Sequence, residues 1–203
     1  VASLDPEPAL VTLDPHSFSD ALADVERVGR AAGRADAAET LTAELAARVE
    51  TVEQRAEAAV AANGRPRTAV LDWTDPPLRA GHWVGEMVTR AGGAAAFQPD
   101  GASEPAAFDA IRRSDPEVLV VAPCGFDRAK AVDAVADLRA HEGWSDVTAV
   151  ETGRVYAVDG NALFNRPSHR LVDSLQVLQW CLHPAVAEPL GDETRRYVTR
   201  LGA

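Results

Sequence analysis

The chain has 203 residues, of which 46% are hydrophobic, and its 20 basic and 31 acidic residues give a formal net charge of −11. This charge argues against nucleic acid or anionic lipid as a partner, because phosphate binding requires clustered cations. No apolar run approaches the roughly 18 residues that a membrane span needs. The two cysteines, Cys124 and Cys181, lack CxxC spacing and the histidines lack metal-site spacing, so no metal site is expected.

The first 33 residues predict one strand and one helix. The apolar run at 10–13 lies between two Asp-Pro pairs, which are turn signals, and predicts a short strand. Apolar residues then recur at helical spacing from Phe18 to Val28, and Ser17 is a suitable N-cap. One strand and one helix are too little to form a domain.

A long helix is predicted next. Residues 34–63 contain neither Gly nor Pro, their apolar positions recur at spacings of three and four, and Gly64 follows. At 1.5 Å per residue such a helix extends roughly 40 Å, which suits an element lying along or between two lobes. A coiled coil is the alternative, but the apolar stripe is rich in Ala and poor in Leu and Ile, which favours packing against other elements.

From residue 65 onward, strands and helices alternate. This alternation predicts an α/β lobe with a parallel sheet, preceded by the long helix. Ligands of open parallel sheets bind beyond the carboxyl ends of the strands, so the loops there are the first candidates for function. The predicted strands are residues 69–73, 94–97, 118–122 and 154–158, and the predicted helices are residues 82–91, 105–113, 128–140 and 168–182.

Aromatic, amide and cationic side chains follow these strand ends. Trp73 ends the first strand, Phe126 follows the strand at 118–122, and the last strand leads into a loop with further candidates. Together they offer apolar cover, amide hydrogen bonds and a guanidinium group to a large anionic or carbonyl-rich ligand. The predicted ligand-binding residues are Trp73, Phe126, Asn161, Phe164 and Arg166.

Some of these residues also have structural explanations. Trp73 could be a half-buried core residue, and Arg166 could form a salt bridge with Asp159 or Asp173. Trp83 lies at the start of a helix and is expected to pack rather than to contact a ligand.

Cys124 raises the question of catalysis. A thiol after a strand and near a helix N-terminus can have a lowered pKa and act as a nucleophile. A nucleophile also needs a base, and only His82 is plausibly placed at the same sheet edge. A small buried thiol is therefore the preferred interpretation, and a metal site built from His82 with Asp75 or Asp159 is a weak one.

Several segments from residue 71 onward resemble one family. They are LDWTDPPLRAGHWVGEMV at 71–88, SDPE at 114–117, PCGFD at 123–127, GRVYAVDGN at 153–161, and NRP at 165–167 followed by RLVD at 170–173. Together they resemble the cobalamin-binding branch of the periplasmic substrate-binding proteins, whose two lobes are joined by one backbone helix. The resemblance covers residues 10–185.

This resemblance implies the C-terminal half of a two-lobed protein that hands its ligand to an ABC-type importer and performs no catalysis. Residues 1–33 would be a remnant of the N-terminal lobe, 34–64 the inter-lobe backbone helix, and 65–203 the C-terminal lobe. Most of the N-terminal lobe would be missing. The implied ligand is cobalamin or a related corrinoid, with no catalytic cofactor.

The resemblance also implies a role for one surface residue, and it has departures. Relatives use a carboxylate at the position of Asp109 to meet arginines of the permease; the alternative is a solvated residue at a helix N-terminus. Some relatives pair a cysteine matching Cys181 with one where this chain has Ala91, so that disulfide is expected to be absent. Some relatives contact the ligand with an aromatic residue from the loop before the second helix, and here the region of Ser103 takes its place. The resemblance therefore leaves the identity of the ligand open.

Other functions remain possible on the sequence. One alternative ligand is haem or a ferric siderophore, and two alternative classes are a cysteine-dependent α/β enzyme and a partner-binding module. The resemblance implies an extracytoplasmic location, periplasmic or lipid-anchored on the outer face of the cell membrane, with an ABC permease as partner. Self-association is a further expectation, through the inter-lobe surface that the missing lobe would expose along the helix from Leu41 to Val60 and the strand at 10–13.

Overall fold

A single mixed sheet lies between two layers of helices in the computed structural model, which describes residues 9–95 and 97–202. The strand order is β3-β2-β1-β4-β5-β6. The three central strands, β1, β4 and β5, are parallel, whereas β2, β3 and β6 are antiparallel to their neighbours. The strands are β1 (Thr68–Thr74), β2 (Pro77–Arg79), β3 (Glu104–Pro105), β4 (Val118–Val121), β5 (Val155–Val158) and β6 (Val198–Leu201).

The helices form the two outer layers. Each face of the sheet has its own core: side chains such as Val70 and Val120 pack towards α1, α2, α3 and α7, while Leu71 and Leu119 pack towards α4, α5 and α6. No helix in the described part of the chain is long and apolar enough to cross a membrane. The helices are α1 (Phe18–Ala31), α2 (Ala35–Asn63), α3 (Val84–Arg90), α4 (Phe108–Ser114), α5 (Arg128–Arg139), α6 (Thr148–Glu151), α7 (Leu171–Leu182) and α8 (Asp192–Arg195), with a 3₁₀ turn at Trp144–Asp146.

The first two helices confirm their predictions. Ser17 caps α1 by accepting a hydrogen bond from the backbone of Asp20, whose carboxylate accepts one from the backbone of Ser17. α2 spans 29 residues and is followed by Gly64, which has a φ of +76°. Leu45 and Val52 of α2 are buried against helices of the same chain, so α2 packs within the molecule rather than as a coiled coil.

Polar contacts fix α2 to its neighbours. Arg48 donates to the Asp173 carboxylate and, over 2.6 Å, to Oε1 of Gln176, both on α7. The buried side chain of Gln179 donates its amide to the backbone oxygen of Val52 over 2.5 Å. These bonds hold the long helix in one position against α7.

Two predicted strands are wrong. Residues 10–13 form no strand, and Leu10 is 80% exposed, because no neighbouring strand offers it backbone hydrogen bonds. In the predicted strand at 94–97, Ala94 makes only an isolated parallel bridge with Arg67, Phe97 lies in a turn, and Ala96 is outside the described residues. Residues 1–8, the start of the predicted N-terminal remnant, are also outside them.

The α/β fold class is confirmed, but the predicted parallel sheet is a mixed one. β2 and β3 extend the sheet beside β1 through antiparallel pairing, and β6 closes the other edge beside β5. β2 and β3 contain two or three residues each and include Pro77 and Pro105, so they carry no periodicity that a sequence pattern could reveal. The central three strands preserve the parallel carboxyl edge that the function requires.

Candidate ligand-binding edge

Hydrogen bonds join the loops that follow β4 and β5. The backbone N–H of Asn161 donates to the oxygen of Phe126 over 3.1 Å. The side-chain amide of Asn165 donates to the oxygens of Ala122 (2.8 Å) and Gly160 (3.0 Å). A Cβ at Gly160 would lie 2.1 Å from the oxygen of Pro123, so only glycine permits this close approach. The two loops therefore form one fixed surface.

An aromatic pair stands on this surface. The rings of Trp73 and Phe126 meet edge to face, with centroids 5.1 Å apart, and both residues are half-buried. The indole N–H of Trp73 donates to the oxygen of Asp75 over 3.0 Å, which fixes the ring. The structure thus brings together two of the predicted residues as a partly exposed apolar platform.

Asn161 and Arg166 form a polar pair beside it. The Arg166 guanidinium donates to Oδ1 of Asn161 over 2.6 Å, and both residues are exposed. The salt bridges considered for Arg166 are not formed: Asp173 pairs with Arg48, and Oδ1 of the buried Asp159 accepts from the backbone of Ala162. Arg166 is therefore available at the surface of the edge.

Phe164 is more buried than the other predicted ligand-binding residues. Its residue is only 1% exposed and has a φ of +67°, its backbone N–H donates to Oγ of Ser174, and its oxygen accepts from the Trp83 indole over 2.7 Å. The ring is part of the core cluster shared with Trp83, and both residues also line the cavity that includes Asp72. Trp83, 7% exposed, packs as predicted.

A cavity of about 210 Å³ opens between these elements and includes Asp72, Ser103 and Asn165 in its walls. The Ser103 hydroxyl donates to Oδ2 of Asp72 and accepts from the backbone N–H of Gly81 over 3.1 Å. Oδ1 of Asp72 is buried and has no hydrogen-bond partner among the described residues. One carboxylate oxygen in the wall is thus left without a donor.

The electrostatics of this cavity favour hydrogen-bond donors. Burial raises the pKa of Asp72, and the hydrogen bond from Ser103 opposes that shift. Both amide hydrogens of Asn165 are used by backbone oxygens, so its carbonyl oxygen remains for a ligand. The walls therefore present mainly acceptors, which suit the N–H groups of a ligand better than its carboxylates.

Cys124 differs from its prediction. It is exposed rather than buried, because β4 ends before it and its backbone N–H is held by the oxygen of Asp72 over 3.0 Å. No described side chain hydrogen-bonds to its sulfur, so no base activates it. Cys181 is buried on α7, where burial raises the pKa of its thiol, and both thiols are free.

Asp109 lies apart from these residues, in the first turn of α4. It is exposed and forms an ion pair with Arg112 of the same helix, at 3.5 Å between Oδ1 and Nε. Even so, its side chain is 63% exposed. That exposure leaves a permease contact for Asp109 as a proposal.

Sequence reasoning missed Asp72 and Asn165 as site residues. Asp72 was detectable as an acidic residue inside an otherwise apolar strand, a position that carboxylates seldom occupy without a partner. Asn165 had no comparable signal, since its role depends on a contact with Ala122, 43 positions away. Among the described residues, no group of three or more His, Cys, Asp and Glu side chains could hold a metal ion.

Solved structures share this fold. A periplasmic heme-binding protein from Pseudomonas aeruginosa is 19% identical with a TM-score of 0.75, over 93% of this chain and 66% of its own. An ABC transporter substrate-binding protein from Listeria monocytogenes EGD-e is 18% identical with a TM-score of 0.72, and the match covers 86% of this chain and 67% of that protein. An ABC-type Fe³⁺-hydroxamate transport system from Saccharomonospora viridis is 26% identical with a TM-score of 0.64, and the match covers 86% of this chain and 58% of that protein.

The chain thus spans between 57% and 67% of the length of these and similar structures. No curated protein matches its sequence. The family model described as periplasmic binding protein matches residues 3–162, which is most of the chain. The chain therefore belongs to the periplasmic binding protein family, and it is a binding protein and not an enzyme.

Proposed function

We propose that the chain is the ligand-binding component of an ABC-type importer and that it captures cobalamin or a related corrinoid. The observation that carries this proposal is the Trp73–Phe126 platform beside the acceptor-lined cavity at the carboxyl edge of β1, β4 and β5. A flat aromatic surface buries one face of a macrocycle through apolar contact. The neighbouring acceptors of Asp72 and Asn165 match the amide N–H groups that surround a corrin ring.

A second candidate ligand is haem or a ferric siderophore. The exposed guanidinium of Arg166 favours it, because haem carries two carboxylates that arginine binds well. Relatives of similar fold are described as heme-binding or as part of Fe³⁺-hydroxamate transport. The acceptor-rich cavity weighs against a carboxylate at the same place, since it would set like charges together.

The proposal extends to the organisation of the whole protein. Residues 1–33 would belong to an N-terminal lobe, α2 would be the inter-lobe backbone helix, and residues 65–203 would form the C-terminal lobe. Asp109 would meet arginines of the permease, a kind of charge pairing that sets docking register and association rate. The protein would act outside the cytoplasm, in a periplasm or anchored to the outer face of the membrane.

Titration calorimetry of the protein with both lobes complete, using cyanocobalamin, haemin and a ferric hydroxamate chelate, tests the ligand. We expect cyanocobalamin to bind most tightly. Trp73→Ala should weaken that binding by about 1–3 kcal/mol, the scale of burying one large side chain. Trp144→Ala is the matched control, because Trp144 is also half-buried but packs against Phe108 away from the edge.

Three results would count against this function. Tight binding of haemin without cobalamin binding would replace the corrinoid by the second candidate. Equal affinities for native protein, Trp73→Ala and Trp144→Ala would remove the aromatic platform from the site. Binding of none of the three chelates would reject a chelate-binding role.

A further inference from the structure

A second cavity, of about 360 Å³, lies at the opposite edge of the sheet from the aromatic platform. Arg154 directly precedes β5, and Arg200 on β6 stands opposite Tyr156 in the register of these strands. The C-terminal ends of α2 and α7 form the other side, through Asn63 and Leu182. The cavity therefore lies at the amino end of β5, away from the loops proposed to bind the chelate.

Two guanidinium groups line this cavity without a carboxylate partner. Arg154 donates to the backbone oxygens of Cys181 (3.2 Å) and Leu182 (2.7 Å), and Nε of Arg200 donates to the oxygen of Gly153 (2.7 Å). In the part of the chain that the structure describes, neither forms an ion pair. Each guanidinium carries five N–H donors, so several donors remain on each.

Eight arginines elsewhere in the described chain have carboxylate partners, among them Arg48, Arg67 and Arg90. Others, such as Arg128 and Arg166, are exposed and bond to neutral side chains. With 31 acidic residues against 20 basic ones, acidic partners are abundant. Arg154 and Arg200 differ from Arg128 and Arg166 because they line one cavity together, which places both guanidinium groups to take the same anion from outside the chain.

The charges of Arg154 and Arg200 act on ionisable side chains in the walls of the cavity. Burial raises the pKa of Tyr156, and the charges of Arg200 and Arg154 oppose that shift. Burial lowers the pKa of His183, the hydrogen bond to the oxygen of Gly92 opposes that shift, and the charge of Arg154 adds to it. The carbonyl end of α7 opposes anion binding, but Arg154 already occupies its last two oxygens.

We propose that this cavity binds a small molecule bearing an oxyanion, a phosphate or carboxylate group, held between Arg154 and Arg200. Guanidinium groups suit oxyanions because their planar donors bond two oxygens at once. Leu182 and Val186 line the same cavity and offer apolar contact to the body of the molecule. The site is separate from the proposed chelate site and does not depend on it.

Side-chain ¹⁵N NMR of the arginine Nε–H groups tests the proposal. The protein is titrated with inorganic phosphate or acetate, with sodium chloride at matched ionic strength as the reference. We expect saturable shifts at Arg154 and Arg200 that chloride does not produce. Saturation by phosphate alone supports a phosphate ligand, saturation by acetate alone or by both supports an oxyanion site, and saturation by neither overturns the proposal.

A substitution separates binding from simple screening. Arg200→Gln removes one cation whose only described bond is to Gly153, and it should weaken phosphate binding about tenfold or more, the scale of one charge-assisted hydrogen bond. Arg154→Met should do the same, although it also removes the cap of α7. Arg128→Gln is the control, since exposed Arg128 bonds only to Thr199, nearer the other end of β6. Unchanged affinity in Arg200→Gln, or equal weakening in Arg128→Gln, would also overturn the site.

Discussion

Asp72 shows how a single side chain can favour binding at the expense of stability. Asp72 lies near the carboxyl end of β1. One oxygen of its carboxyl group is bonded to Ser103, and the other has no donor among the described residues. Leaving a buried polar atom unpaired is costly to the folded protein. Such a cost is typical of positions that await a ligand, because the ligand supplies the missing donor.

Asp72→Asn should stabilise the protein at neutral pH. The folded pKa of Asp72 is raised above the ordinary value of 3.8, so the folded state binds the proton more tightly than the unfolded state. As pH rises from the unfolded pKa to the folded pKa of Asp72, ionisation lowers the free energy of unfolding. The full loss is present above the folded pKa. Asn cannot ionise but still accepts from Ser103, so the gain in Tm should appear at pH 7 and vanish below pH 3.8.

Thermal unfolding across this pH range measures the effect. Asp133→Asn serves as the control, because it removes the same charge from an exposed position on α5. If both variants change Tm with the same pH dependence, the effect comes from net charge and the account of Asp72 is wrong.

The long helix α2 is rigid because its buried stripe is anchored on α1, α3 and α7. Leu45→Ala should lower the free energy of unfolding by about 2–5 kcal/mol, because it empties a fully packed site. Urea unfolding followed by circular dichroism measures this loss. Leu41→Ala, at a half-buried position of the same helix, should cost less. A loss for Leu45→Ala no larger than for Leu41→Ala would contradict the docking of α2.

Elements with a local signal could be predicted from the sequence, and elements that need a distant partner could not. The α2 pattern is complete within 30 residues, so its helix and its end at Gly64 are confirmed. Residues 10–13 have the composition of a strand but no neighbour to pair with, whereas β2 has a poor composition and two neighbours. A strand is decided by its partners, which the local sequence does not show.

The same distinction applies to the candidate site. Trp73, Phe126 and Asn161 follow strand ends and lie at the surface, as expected from the rule for parallel sheets. Phe164 follows the same rule but is turned into the core by its left-handed backbone conformation and by the hydrogen bond from Trp83. A positive φ at a phenylalanine has no signature in the sequence.

The molecule as a whole combines a strongly acidic surface with one apolar region. Leu10, Leu13 and Val28 are 80%, 44% and 47% exposed. Leu13 and Val28 also line a groove of about 230 Å³ between α1 and residues 167–169. Exposed apolar surface of this kind favours association, while a net charge of −11 on each copy opposes it. The balance between these effects depends on salt, since salt screens the repulsion but not the apolar contact.

We therefore expect the 203-residue chain to form a dimer that strengthens as salt is raised from about 0.02 M to about 0.5 M, where the Debye length shortens severalfold. Light scattering coupled to size exclusion, at several protein concentrations, measures the fraction of dimer. Val28→Asp should return the chain to a monomer, because it places a charge inside the apolar contact. Val186→Asp adds the same charge at another exposed apolar position, which lines the cavity beside the C-terminal end of α2 and not the α1 groove, and it should leave the dimer intact. A monomer at every salt concentration, or equal effects of the two variants, would show that the α1 surface does not mediate self-association.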